Sequence, residues 1–115
     1  MTQARRRLGI QGEDLAAAWY EAGGYQVVDR NGRCREGEID LVCRRGPLVV
    51  FCEDKTRRSD AFGHPAEAVT PAKQQRLRIL AGRWMEASGP GRAGQIRFDV
   101  AAVLAGELEV IEAAF

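Results

Sequence analysis

The 115-residue sequence contains one histidine, two lysines and three cysteines, and each shortage excludes something. Cys34, Cys43 and Cys52 form an odd set with no C-x-x-C spacing, so they specify neither a closed disulfide framework nor a zinc site. Unpaired thiols fit a reducing cytoplasm. No apolar run approaches the eighteen or so residues needed to span a bilayer. Arg5, Arg6 and Arg7 mimic the basic start of a signal peptide, but Glu13 and Asp14 interrupt its apolar stretch, so no export is expected. Nor is charge of one sign in excess: seventeen basic and sixteen acidic residues give a net charge of +1, so total charge announces neither a nucleic-acid nor a membrane partner.

What is present suits one folded unit over residues 1–115. Hydrophobic residues make up 45% and charged residues 29%, too apolar for a disordered chain. At this length the chain buries roughly 60–70% of its unfolded surface.

Leu15, Ala16, Ala18 and Trp19 recur at helical spacing between Gly12 and Ala22, and Gly23-Gly24 ends the pattern. Tyr25–Val28 reads as a strand, with Asn31-Gly32 as the hairpin turn after it. Glu38–Cys43 and Leu48–Lys55 are strand-like runs separated by Arg44-Arg45-Gly46-Pro47, a tight reversal that pairs them antiparallel. Residues 56–69 have little periodicity and read as a surface loop. Thr70 can cap a second helix that Pro71 opens, with Leu77, Leu80, Ala81 and Trp84 as its apolar stripe, and 88–91 stop it. Strands Gln95–Leu104 and Glu107–Ile111 close the chain around Ala105-Gly106. The order is α-β-β-β-α-β-β, a mixed α/β sheet flanked by helices.

Charge is unevenly spread. Residues 55–97 carry nine bases and three acids, a local balance of +6, whereas 98–115 carry four acids and no base.

Along a strand, side chains alternate faces, so Glu53 and Lys55 share one side and Cys52 and Asp54 the other. A hairpin turning near Gly46-Pro47 brings Asp40 within reach of Glu53. Two carboxylates at that distance repel unless something positive lies between them, and a hard divalent cation such as Mg²⁺ meets the need. The same spacing also fits an exposed cross-strand ion pair worth at most about 1 kcal/mol.

Six ordered blocks distinguish these readings. G-E-D-L-A-A-A-W-Y (12–20), G-Y-Q-V-V-D-R-N (24–31), G-E-I-D-L-V (37–42), V-F-C-E-D-K-T-R (50–57), F-G-H-P-A-E-A-V (62–69) and R-F-D-V (97–100) resemble the YraN-like family of small bacterial proteins. That family is similar to archaeal Holliday-junction resolvases of the PD-(D/E)xK nuclease superfamily. The resemblance implies a restriction-endonuclease-like α/β fold and metal-dependent hydrolysis of DNA phosphodiesters, with branched or structured DNA among the candidate substrates. It gives Asp40 and Glu53 as ligands of Mg²⁺, or Mn²⁺ in its place, Lys55 as the group that orients water, and Glu13 as a further carboxylate of the site. Arg57, Arg58, Lys73 and Gln74 are then candidate DNA contacts, and two-strand cutting implies a homodimer. The alternatives are a nucleic-acid-binding module that keeps the fold with little turnover, and a partner-binding protein with a decorative ion pair.

One departure stands out. The family usually has an apolar residue where this chain has Asp54, on the side opposite the expected metal, where an unpaired buried carboxylate would shift its pKa or be expelled; it either emerges into solvent, pairs with an arginine, or leaves this member destabilised or catalytically weakened. Lone His64 reads as surface. Asp99 reads as a holder of Arg97 or of a turn, and Trp19 and Trp84 read as core.

Overall fold

The computed structural model describes residues 3–59, 63, 69–88 and 94–115. Helix α1 spans Gln3–Ala22, strands β1, β2 and β3 span Gln26–Cys34, Gly37–Arg45 and Leu48–Arg57, helix α2 spans Pro71–Ser88, and β4 (Gln95–Leu104) and β5 (Glu107–Ile111) complete the chain. The expected element order and α/β class are present, consistent with a restriction-endonuclease-like fold. The five strands lie in the order β1-β2-β3-β4-β5, with β3 and β4 parallel and the other neighbours antiparallel. The crossover between the parallel pair carries α2, as a parallel connection requires. Most of the loop expected over 56–69, His64 included, lies outside the described residues, and β3 itself runs on to Arg57.

Strand β3 is central. Its first half, Leu48–Cys52, is apolar on both faces and buried on both, because a helix covers each side of the sheet. Val50 and Cys52 pack with Ala16, Ala17 and Tyr20 of α1. Val49 and Phe51 pack with Leu77, Leu80 and Ala81 of α2. The α2 stripe and its cap are as expected: Lys73 N–H donates to Thr70 Oγ1 at 3.3 Å. Trp84 is half-buried and donates its indole N–H to Asp29 Oδ2 at 2.7 Å.

Three expectations need correcting. Helix α1 begins at Gln3 rather than Gly12; Ala4, Arg5–Arg7 and Leu8 are good helix formers, and no proline interrupts them. Its buried positions are Ala16, Ala17 and Tyr20, whereas Leu15 and Trp19 remain 41% and 39% exposed. The small alanines let the helix lie close to the sheet, and Tyr20 rather than Trp19 reaches inward, where its hydroxyl finds a buried acceptor. The hairpin does not turn at Asn31-Gly32. Asn31 takes φ 55° inside β1, a left-handed conformation asparagine tolerates, without reversing the chain, and the turn follows at Arg35-Glu36.

Where α1 crosses β3, Gly12 is required for closeness rather than flexibility. A Cβ there would lie 2.0 Å from Thr56 Oγ1 and 3.1 Å from Thr56 Cβ. Gly12→Ala is therefore expected to destabilise by about 1–3 kcal/mol despite alanine's better helix propensity, as urea denaturation would measure.

The acceptor of Tyr20 is Asp99, which is fully buried. Tyr20 Oη–H donates to Asp99 Oδ2 at 2.6 Å, Arg97 contacts both carboxylate oxygens at 2.8 and 2.9 Å, and Ala113 N–H donates to Oδ1 at 3.0 Å. Asp99 thus holds Arg97, and it also joins α1, β4 and the C-terminal segment.

Candidate active site

The apolar run of β3 ends at Cys52, and Glu53-Asp54-Lys55-Thr56 follow in the same strand. Alternation carries the two core faces onward. Glu53 and Lys55 continue the Val49–Phe51 side toward α2, and Asp54 and Thr56 continue the Val50–Cys52 side toward α1. Lys55 Nζ lies 3.2 Å from Glu53 Oε1, both side chains being largely buried.

Strand β2 departs from alternation beside them. Ile39 and Val42 both pack on the α2 side while Leu41 packs on the α1 side, so the pattern breaks at Asp40. The β2–β3 ladder also stops there, its last pair being Leu41 and Cys52. In place of a carbonyl, Asp54 N–H finds Asp40 Oδ2 at 2.8 Å. The carboxylate therefore sits in the space opened where the strands stop pairing.

Burial, then the like charge of Glu53, push Asp40 up to about 8, against the lowering effect of the Asp54 N–H; protonated, Asp40 donates to Glu53. Asp54 is pushed up to about 7, by burial first, with Glu13 and Glu53 adding repulsion and Thr56 opposing it. Of the outcomes open to Asp54, the shifted pKa of a carboxylate kept in place is the one observed. The residue does not reach open solvent and, among the described residues, meets no arginine; it stays half-buried with Thr56 Oγ1 3.4 Å from each of its oxygens.

Asp40, Glu53 and Lys55 thus come together. Lys73, at the start of α2, joins them: repulsion from Lys55 is the main cause that lowers its pKa. Glu13 does not lie in this group of contacts. It is buried on the α1 side, where it accepts from Arg30 Nε and Asn31 Nδ2, each at 3.0 Å, and it acts on the group through Asp54. The bond from Asn31 depends on the left-handed turn of the backbone that had read as a hairpin signal. Gln74 donates its amide to Val69 O at 3.2 Å, tying that residue to the start of α2. Arg57 and Arg58 lie exposed at the end of β3, Arg57 bonding Thr56 O.

Sequence reasoning took Thr56, with Arg57 and Arg58, as a candidate phosphate contact, and missed its pairing with Asp54 and the main-chain amide of Asp54. Thr56 carries a signal in its i+2 spacing from Asp54 on a strand; an amide carries none. Among the described residues, no group of three or more His, Cys, Asp or Glu side chains is placed to hold a metal ion. The donors that converge are two carboxylates, so a cation here would take further oxygens from water or phosphate, the habit of Mg²⁺.

Residues 12–103 match the profile described as "Uncharacterised protein family UPF0102". Similar proteins, each called a UPF0102 protein, occur in Beutenbergia cavernae (53% identical over 102 residues, 89% of this chain and 86% of that protein) and Streptomyces griseus (52% over 101 residues, 88% and 85%). Another, in Mycolicibacterium vanbaalenii, is 46% identical over 111 residues, 96% of this chain and 91% of that protein.

Proposed function

The chain belongs to the UPF0102, or YraN-like, family, and from that premise we propose that it is a metal-dependent endonuclease hydrolysing DNA phosphodiester bonds. On this reading it is one nuclease domain of the cytoplasm, related to the Holliday-junction resolvases of the PD-(D/E)xK superfamily, and branched or structured DNA is its substrate class.

The observation that carries the proposal is the Asp40–Glu53 pair. Two carboxylates share one site at the end of an apolar strand, where burial first and the like charge of Glu53 second push Asp40 up to about 8. A surface ion pair would not need this arrangement, and a hard cation relieves it. The donors are all oxygen, which fits Mg²⁺ or Mn²⁺ and disfavours zinc. Asp40 and Glu53 would hold the ion, whose chemistry there is to offset charge on the scissile phosphate and make water more acidic.

The remaining work belongs to the chain. The Asp54 amide fixes the Asp40 carboxylate. Lys55, held by Glu53, orients the attacking water, and positioning of this kind supplies much of the rate. Lys73, Arg57 and Arg58 engage backbone phosphates, which set position rather than sequence preference. No helix is long and apolar enough to cross a membrane among the described residues.

Plasmid, single-stranded and four-way-junction DNA should yield cleavage products with Mg²⁺ or Mn²⁺ and none with an Asp40→Ala variant. Absence of any metal-dependent product would reject the enzyme. Binding that nonetheless weakens steeply with salt would then identify a DNA-binding module with the same fold.

A further inference from the structure

We propose that the hollow between the C-terminal half of α2 and the start of β4 is a binding site for a free nucleotide. It is separate from the Asp40–Glu53 pair and does not rest on the nuclease reading. The part of β4 that lines it, Gln95–Phe98, pairs with Leu48–Phe51, at the end of β3 away from Glu53 and Lys55.

Alternation along β4 sends Ile96, Phe98 and Val100 toward α2. Phe98 and Val100 are buried there, but the row then runs out of cover, and Ile96 is 46% exposed. The C-terminal segment supplies a further wall. Ala113 takes φ 50°, Ala114 N–H donates to Phe98 O at 2.8 Å, and the Phe115 ring stacks on that of Phe98 with centroids 5.2 Å apart. The hollow so bounded measures about 540 Å³, a volume that suits one small molecule. Its walls are held by the fold, so the space exists before any ligand arrives.

Charge and shape select the occupant. Two arginines and, among the described residues, no acid line the hollow. Arg97 is already engaged on the α1 side by Asp99 and Tyr25. Arg78 is different: among the described residues it has no acidic partner and no hydrogen-bond acceptor, and its guanidinium lies over the rings of Phe98 and Phe115, 4.9 and 5.4 Å from their centroids. Stacking sets the plane of the fork and leaves its N–H groups to an anion from outside, whose paired oxygens such a fork matches. The wall around it, with Met85, Ile96 and Phe115, suits a flat apolar body. Gly82 adds a separate indication. Glycine weakens a helix interior, yet a Cβ at this position would meet nothing within 4 Å, so no packing within the fold requires it. What its missing side chain provides is room in the hollow. A molecule that joins a planar ring to a phosphate meets all of these conditions, and a nucleotide is that class.

Titration of the full chain with AMP, GMP, CMP and UMP, followed by amide NMR shifts, tests this. EDTA is kept present so that no cation at Asp40 and Glu53 can hold a phosphate, which separates this site from the nuclease reading. Saturable shifts at Gly82, Ile96 and Phe115 are expected with at least one of the four. The matching nucleoside and inorganic phosphate should each bind at least about tenfold more weakly, since each lacks one half of the ligand. Arg78→Ala should weaken binding by at least about tenfold, and Gly82→Leu, acting from another point on the wall, should abolish it by filling the space. Arg78 and Gly82 are both exposed, so cooperative melting of the two variants separates lost binding from lost folding. No saturable shift with any of the four would overturn the proposal, and so would binding indifferent to Arg78→Ala. Tighter binding of a short single strand at the same residues would overturn the free nucleotide as occupant.

Discussion

Asp40→Asn should make the protein more stable and less active. Folded Asp40 keeps its proton to about pH 8, while an ordinary aspartate releases it near 3.8. Between those values the folded chain binds more protons than the unfolded one, so this residue's contribution to stability falls as pH rises through that window. Asparagine can still accept from the Asp54 amide and donate to Glu53, yet it has no proton to lose. The variant should therefore match the parent near pH 4 and gain most near pH 8. Asp54, which titrates at about 7, leaves a smaller slope of the same sign in both proteins. Cleavage should fall by at least about a hundredfold, because a cation ligand is lost. Mg²⁺ should raise the melting temperature of the parent, more at pH 8 than at pH 6 because proton and metal compete, and leave the variant unmoved. A parent indifferent to Mg²⁺ across this range would remove the metal from the proposal, and a variant no more stable at pH 8 would show that neither burial nor Glu53 disfavours an ionised Asp40.

The largest loss of stability is expected elsewhere, at Asp99→Ala. The carboxylate is inaccessible to solvent and receives Tyr20, Arg97 through two nitrogens, and the Ala113 amide. Removing it takes the close partner from a guanidinium whose side chain is 15% exposed, leaving it Tyr25 at 3.1 Å and Glu112 at 3.8 Å, and takes the acceptor from a hydroxyl and an amide at once. Breaking a buried ion pair from one side costs about 3–5 kcal/mol. At roughly 4 °C per kcal/mol, the melting temperature should drop by more than about 12 °C. Tyr20→Phe, which leaves Arg97 and Ala113 satisfied, should cost only about 1 kcal/mol. Equal losses for the two variants would mean that the hydroxyl, rather than the arginine, dominates the network.

The sequence made some of this legible and hid the rest for physical reasons. Strands β2 to β5 and α2 are announced by local signals, apolar alternation and punctuating turns, and those signals agree with the sheet they form. The juxtaposition of Asp40, Glu53 and Lys55 follows from period two and a tight reversal. What failed were inferences in which tertiary contacts chose among local options. Asn31-Gly32 is a turn signal because asparagine tolerates positive φ; here that tolerance aims Asn31 at Glu13 instead of reversing the chain. Leu15 and Trp19 are the larger apolar residues of α1, so they read as its core face. The sheet selects Ala16, Ala17 and Tyr20, since close approach at Gly12 and the Asp99 acceptor outweigh side-chain size. Glu13 is a different case: it joins the candidate site by resemblance alone, and no spacing could reveal that Arg30 and Asn31 would bond it.

The two halves of β3 are tethered differently. From Leu48 to Cys52 the strand is laced to both neighbours, whereas from Glu53 onward its ladder continues to β4 alone. Amides in the first stretch should surrender their hydrogens to deuterium only when the whole fold opens, and those in the second on smaller, more frequent excursions. One continuous strand would then supply an anchored root and a compliant tip, with the charged groups carried on the tip.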